Sequence, residues 1–363
     1  MDIIISDCMF KKNIKVLVLS TSRKTRGGIS AVLKAHATGE QWKRFHCHWV
    51  QTHRDGNNVR KLVYLFCAWI DYLIRLPFYD IIHVHFSLET TAKRNVPFVK
   101  LAKILGKKVI VHLHCGSQIH KIWNKDYDYL FSAADVSLFL SENLMRMVEE
   151  HTGCGRDYRI CYNPCPQISK EPILLPKKQI LFSGTLCAGK GYLDLIMAFD
   201  KIAKKYSDWK VVFAGNGEVE KGKMIVKELG ITNQIEFIGW VSGKEKDKVF
   251  RESMIFCLPS YAEGFPMAVL DAWAYGLPVI TTPVGGIPDV AKDGENILLF
   301  NPGDVDALAM QLDRMILDEK LRERIALASL DFARNQFNLN TINNQLGEIY
   351  NELGNSKYEK GVL

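Results

Sequence analysis

The sequence lacks the marks of several protein classes, and each absence narrows the field. Its 363 residues hold no uninterrupted apolar run of the ~20 residues that a membrane-crossing helix needs. The most apolar segment, Leu62 to Tyr79, is broken by Asp71 and Arg75. The opening MDIIISDCMF carries acids early and no charged-then-apolar-then-small pattern, so no secretion signal is expected. Nine cysteines are scattered without the paired short spacings of a zinc site; with no leader they are expected to be reduced thiols, and the cytosol is the expected compartment. There is no low-complexity tract to suggest disorder or a fibrous repeat, and no internal repeat stands out. The formal charge of +7 is too sparse for a nucleic-acid binder, although its sign favours anionic membranes or phosphorylated ligands. The early TSRKTRGGIS has a glycine pair but no Gly-x-Gly-x-x-Gly run, which disfavours a dinucleotide-dependent oxidoreductase.

What is present is an α/β pattern that occurs twice. Short β-branched runs, IKVLVLS, IIHVHF, KVIVHLH and VSLFL, precede a second set, ILFSG, VVFAG, IEFIG, MIFCLPS, PVITT and ILLF. Continuous apolar runs of strand length, spaced by amphipathic helices, indicate parallel strands covered on both faces. Leu195, Phe199, Ile202 and Tyr206 follow helical steps and should pack on the second sheet. The apolar face of Leu62 to Leu76 should pack on the first. Between the two sets, Pro164, Pro166, Pro172 and Pro176 deny the segment both helix and ladder bonds, which marks a linker. The expected division is a first doubly wound domain over 1–166 and a second over 167–338. Two such domains face one another across a cleft at the carboxyl ends of their strands, where ligands bind.

The strongest chemical signal is Glu263-Gly-Phe-Pro-Met-Ala-Val-Leu-Asp271, directly after the strand MIFCLPS. Pro266 suits the first helical position, so a helix should start between Phe265 and Met267. The unpaired amides of its first turn, with their partial positive charge, suit a diphosphate. Glu263 then stands just before the helix and Asp271 in its second turn, two carboxylates flanking one anion site. An isolated Glu-x7-Asp pair is ordinarily two solvated acids. Here a strand precedes it, a Gly-Phe-Pro turn lies within it, and a Gly-Gly loop in PVITTPVGGIPDV follows it, and such a loop can approach a ligand closely. Asp126-Tyr-Asp128 and Asp304-Val-Asp306 follow no apolar strand and are read as solvated acids, so no metal site is assigned.

With these motifs, the chain resembles glycosyltransferase family four, of the group 1 glycosyl transferases. The likeness rests on EGFPMAVLDAWAYGLPVI, Gly27-Gly28, DIIHVH, SGTLCAGKG, AGNGE, IGWV, GGIPDV and DGENILLFNPGD in this order. It implies a GT-B fold and a retaining, metal-independent transferase that needs no cofactor beyond its nucleotide-diphosphate sugar. By resemblance, Glu263 contacts the donor sugar, and the amides of Gly264, Phe265, Pro266 and Met267 form the turn that holds sugar and distal phosphate. Asp271 is implied to bind ribose, and Lys190 to neutralise the diphosphate with the loop of Gly184 and Thr185 beside it. The same resemblance implies that Gly27 and Gly28 approach the phosphates from the first domain and that His114 faces the donor sugar. A helix over 339–356 is implied to cross back onto the first domain.

Two departures stand out. Asp271 is one methylene shorter than the family Glu, and Thr185 stands where many members have Arg. Arg23, Lys24 or Arg26 of the first domain would be candidate replacement cations. The implied acceptor is a glycan or a polyprenyl-diphosphate-linked glycan, met at the inner face of the plasma membrane, in surface polysaccharide biosynthesis. A nucleotide-sugar epimerase and a donor-binding scaffold that has lost turnover are the competing readings.

Overall fold

The computed structural model describes residues 13–25, 27–168 and 176–355; Arg26, Pro172 and Ser356 lie outside them. Among the described residues, twelve strands form two sheets. The first contains β1 (Val16–Thr21), β2 (His48–His53), β3 (Ile81–Phe86), β4 (Lys108–Leu113), β5 (Val136–Phe139) and β6 (Tyr158–Ile160), in the order β2-β1-β3-β4-β5-β6. The second contains β7 (Gln179–Ser183), β8 (Lys210–Ala214), β9 (Ile235–Phe237), β10 (Ile255–Leu258), β11 (Val279–Thr281) and β12 (Leu298–Leu299), in the order β12-β11-β10-β7-β8-β9. Every neighbouring pair is parallel. The architecture is α/β with two doubly wound sheets, the GT-B arrangement.

Strand order locates the places where a ligand can enter. In the first sheet the chain reverses direction between β1 and β3, and in the second between β7 and β10. At such a switch point the connections diverge to opposite faces and leave a crevice at the carboxyl ends of the strands. The loops after β7 and β10 carry Lys190 and Glu263.

Ten of the twelve strands coincide with apolar runs in the sequence. The other two, β2 and β6, are edge strands. His48–His53 reads HWVQTH and Tyr158–Ile160 has three residues, none fully buried. An edge strand needs only one covered flank and so carries a weak apolar signal.

The helix Asn58–Arg75 departs from expectation. Its apolar stripe points outward: Leu62, Val63, Phe66 and Ile70 are exposed, while only Ala68 and Tyr72 are buried within the helix. The opposite face is fixed to the fold instead. Trp69 stacks on Phe98 with ring centroids 4.0 Å apart, and the Tyr72 hydroxyl donates to the Phe98 carbonyl at 2.7 Å. Asp71 accepts from Arg75 at 2.6 Å and pairs with His48 at 2.8 Å. The helix Tyr192–Ala203, by contrast, buries Leu195 and Phe199 in the second core, as its spacing indicates.

The last helix, Leu339–Asn355, lies on the first sheet, where Ile342, Leu346 and Ile349 join Val16, Val18 and Ile81 in one cluster. The chain passes between the domains twice, and the passages touch: the Cys165 amide donates to the Phe337 carbonyl at 2.8 Å. Eight cysteines are free thiols among the described residues.

Candidate functional site

The site is assembled at the switch point of the second sheet. After β7 the chain runs through Gly184 and exposed Thr185 into a turn of 3-10 helix, Ala188–Lys190. After β10 it runs through Ser260 to Glu263. A backbone bond from the Tyr261 amide to the Gly189 carbonyl, 3.0 Å, ties the loops together. Lys190 Nζ donates to Glu263 Oε1 at 2.5 Å, and Ser260 Oγ donates to the same oxygen at 2.7 Å. Ser260 is fully buried, and its carbonyl accepts from Thr282 Oγ1 at 2.5 Å. The carboxylate is therefore held by a cation and by the hydroxyl of a serine whose backbone carbonyl is bonded to Thr282, the residue just after β11. Its side chain is 11% exposed and that of Lys190 31%, so salt and water screen the pair less than they would a fully exposed one.

Three backbone segments meet at Glu263. A Cβ on Gly116, just beyond His114, would lie 2.5 Å from the Glu263 carbonyl oxygen. Gly285 has φ +61, and a Cβ there would collide with the Gly264 carbonyl oxygen. The neighbouring Gly286 amide donates to that same oxygen at 2.8 Å. The Gly-Gly loop thus approaches the peptide that carries Glu263, where the sequence suggests approach to a ligand. Only residues without a side chain admit this contact, so these glycines fix the position of the carboxylate-bearing loop.

The helix Met267–Ala274 follows directly, with Pro266 at its N-cap. Pro266 is thus one position earlier than its preference suggests. Phe265 is buried in an aromatic cluster with Tyr162, Trp273 and Phe337, at centroid distances of 5.4, 5.9 and 5.0 Å; its ring anchors the turn, leaving the backbone to face the cleft. From the first domain, a Cβ on Gly28 would lie 3.5 Å from Met267 Cγ, and nothing stands within 4 Å of Gly27. The glycine pair therefore faces the helix start across the cleft.

Asp271 lies one turn further along the helix, 14% exposed, with Lys246 Nζ 2.6 Å from its Oδ1. Burial pushes its carboxyl above the usual carboxylate range, and the Lys246 ammonium opposes the shift. Lys246 comes from the helix Gly243–Glu252, whose sequence, GKEKDKVFRE, reads as a solvated charged face. Of the candidate replacement cations, Arg23 stacks over Trp49, 5.2 Å from the ring centroid, and Arg26 lies outside the described residues.

His114 Nε2 is 2.8 Å from His85 Nδ1, and burial lowers the His114 pKa to about 3. The ring is neutral near pH 7 and can offer a hydrogen bond but no charge. Behind it His83, His85 and His112 share one face of β3 and β4. All three are driven well below the ordinary imidazole range by burial. One ring nitrogen from each lies within 4.8 Å of the others, a set of neutral donors that suits a metal such as zinc in type. It is set beneath the last helix, where the Tyr350 hydroxyl lies 2.8 Å from His83 Nδ1. Asp128 accepts from Trp123 Nε1 at 2.8 Å, and Asp304 caps a helix by accepting from the Ala307 amide at 2.9 Å. These acids serve local structure.

The sequence singled out Glu263, Lys190, Asp271, His114 and the glycine pairs. It gave no sign of Ser260, Lys246 or Asp289. Asp289 accepts from the Glu142 amide at 2.9 Å and from the Tyr162 hydroxyl at 3.1 Å, linking the two domains. Only its place in GGIPDV, after the Gly-Gly loop, could have pointed to it.

Two facing doubly wound domains have the GT-B architecture, and an ammonium, a carboxylate and a helix start are gathered at one switch point of the second. Residues 166–329 match the family model of glycosyl transferases group 1. The chain is 27% identical over 276 residues to the 2-deoxystreptamine N-acetyl-D-glucosaminyltransferase of Niallia circulans, covering 69% of this chain and 70% of that one. It is 26% identical over 320 residues to an uncharacterized 41.2 kDa protein in the cps region of Klebsiella pneumoniae, covering 82% and 85%. Among solved structures it resembles Anabaena HepE in complex with UDP, with a TM-score of 0.75 at 18% identity, over 93% of this chain and all of that one.

Proposed function

We propose that the chain transfers a hexose-type sugar, with retention and without a metal, from a nucleotide-diphosphate sugar to a glycan or polyprenyl-diphosphate-linked glycan. The setting is surface polysaccharide biosynthesis at the cytoplasmic face of the membrane. The observation that carries the reading is the Lys190–Glu263 pair in front of the helix start at Met267. A diphosphate in the cleft meets the Lys190 ammonium and the free amides of that helix, which together take up the charge that grows on the leaving nucleotide. That provision supports metal independence.

In the step itself, the acceptor hydroxyl attacks the anomeric carbon from the face the diphosphate leaves. The bond from sugar to diphosphate breaks as the new glycosidic bond forms, and the hydroxyl proton passes to a departing phosphate oxygen. Glu263, with one oxygen already committed to Lys190 and Ser260, orients the sugar and stabilises positive charge at the anomeric carbon. Neutral His114 donates or accepts one hydrogen bond at the sugar. Asp271, recessed and paired to Lys246, takes the ribose hydroxyls. The UDP bound to HepE and the amino-sugar transfer of the Niallia relative support the donor class.

Thermal unfolding against a panel of nucleotide sugars tests the reading. The cognate donor at 100 times its Kd should add ~2.7 kcal/mol of stability. Transfer should then persist in a chelator and give a product with the donor's anomeric configuration. Stabilisation by no nucleotide sugar would contradict the proposal, and an isomerised donor in the absence of acceptor would favour an epimerase.

A further inference from the structure

We propose that the outward face of the helix Asn58–Arg75 docks the chain on an anionic lipid surface. This deepens the membrane part of the reading above and rests on it, but not on the sugar chemistry.

Eight of the nineteen large apolar residues exposed among the described ones fall within residues 59–78. Val59, Leu62, Val63, Phe66, Ile70 and Leu73 recur at helical spacing and are 45–69% exposed. They form one stripe along a helix ~27 Å long. Scattered surface leucines need no explanation, but a continuous stripe marks an interaction site. The stripe is not waiting to fold inward, because Trp69, Asp71 and Tyr72 already hold the opposite face. Nor does it cross a bilayer: no helix of the described residues is long and apolar enough. A helix with one apolar face and flanking cations lies in the plane of the interface.

Charge selects the occupant. Residues 1–166 carry 24 Lys and Arg against 14 Asp and Glu, whereas residues 167–363 carry 23 against 26. The whole positive excess therefore lies in the domain that bears the stripe, with Arg60 and Lys61 exposed within its first turn. A second copy on this face would bring two cationic domains together, whereas an anionic leaflet is attracted to both the charge and the apolar residues. The helix starts just beyond the carboxyl end of β2, on the rim shared with Gly27 and Gly28. Docking there would hold the mouth of the cleft at the lipid headgroups.

The test is flotation of the full chain with phosphatidylcholine vesicles, with and without phosphatidylglycerol. The intact chain should float with the anionic vesicles in a salt-sensitive manner. Phe66→Glu combined with Ile70→Glu should cut the bound fraction about tenfold or more. Met310→Glu with Leu327→Glu, at exposed sites of the second domain, should leave it unchanged. Circular dichroism checks that the variants are folded, and transfer to a detergent-soluble acceptor should persist in both. No flotation of the intact chain, or flotation unaltered by the paired glutamates, would overturn the proposal. So would a dimer by light scattering that the paired glutamates dissolve while flotation is absent. Failure of transfer in every variant, with flotation intact, would count against the sugar reading and leave the docking face standing.

Discussion

Glu263 is useful only where it stands, and its position is set by residues that have no side chain. Gly116 shows this most simply. Its φ of −91° is open to any residue, so Gly116→Ala adds a methyl group against the Glu263 carbonyl without straining its own backbone. The Glu263 loop must shift to make room. Since a displacement of ~1 Å at a reacting group can cost 10²-fold, the variant should lose at least about tenfold in kcat while retaining its far-UV spectrum; steady-state kinetics would check this. At this scale the sequence was partly legible. Glu263 and Lys190 announce themselves through their loops after apolar strands, and Asp271 through its spacing. Ser260 and Lys246 do not, because one is a lone serine at a strand end and the other a lysine among lysines. Their roles depend on partners 3 and 25 residues away in the chain, brought within hydrogen-bonding distance by the fold.

Among the elements, β3 and β4 are unusual in placing several histidines on one buried face. His36, His83, His85 and His112 are each at most 3% exposed. Burial lowers the pKa of His36 to about 4 and carries the other three well below the ordinary imidazole value. The sign follows directly. In the unfolded chain these rings take up protons as pH falls through about 6.5, while in the folded chain they stay neutral. The unfolded state then binds more protons, so stability is full above that pH and falls below it. Between pH 7 and 5.5 each ring should cost at most about 1.2 kcal/mol, or about 5 kcal/mol for the four together as an upper bound. Urea midpoints at the two pH values would check this; a flat profile would contradict neutral burial. The sequence reveals that β3 and β4 are strands, since four residues of IIHVHF are apolar. The outward stripe of Asn58–Arg75 was not readable, because periodicity reports that a face is apolar, not which way it turns. Here the helix has apolar residues on both sides, and aromatic packing on Phe98 decides.

At the scale of the whole molecule, the proposed transfer requires the two domains to meet over the donor. Asp289 fastens the second domain to the first through the Glu142 amide and the Tyr162 hydroxyl, close to where the chain crosses between them. Closure of this kind excludes water from an activated sugar. Asp289→Ala should therefore raise the ratio of donor hydrolysis to transfer several-fold, read from free sugar and product in one assay, with little change in the melting of either domain. The two-domain architecture was the most legible feature, because ten apolar runs in two sets leave few alternatives. The inter-domain contacts were the least, since no local pattern encodes them. The central claim, that Lys190 and Glu263 together receive the diphosphate sugar, is tested most directly by single-turnover transfer with saturating donor. Lys190→Ala and Glu263→Gln should each lower the rate on the order of 10²-fold, and near-normal rates in both variants would contradict the account.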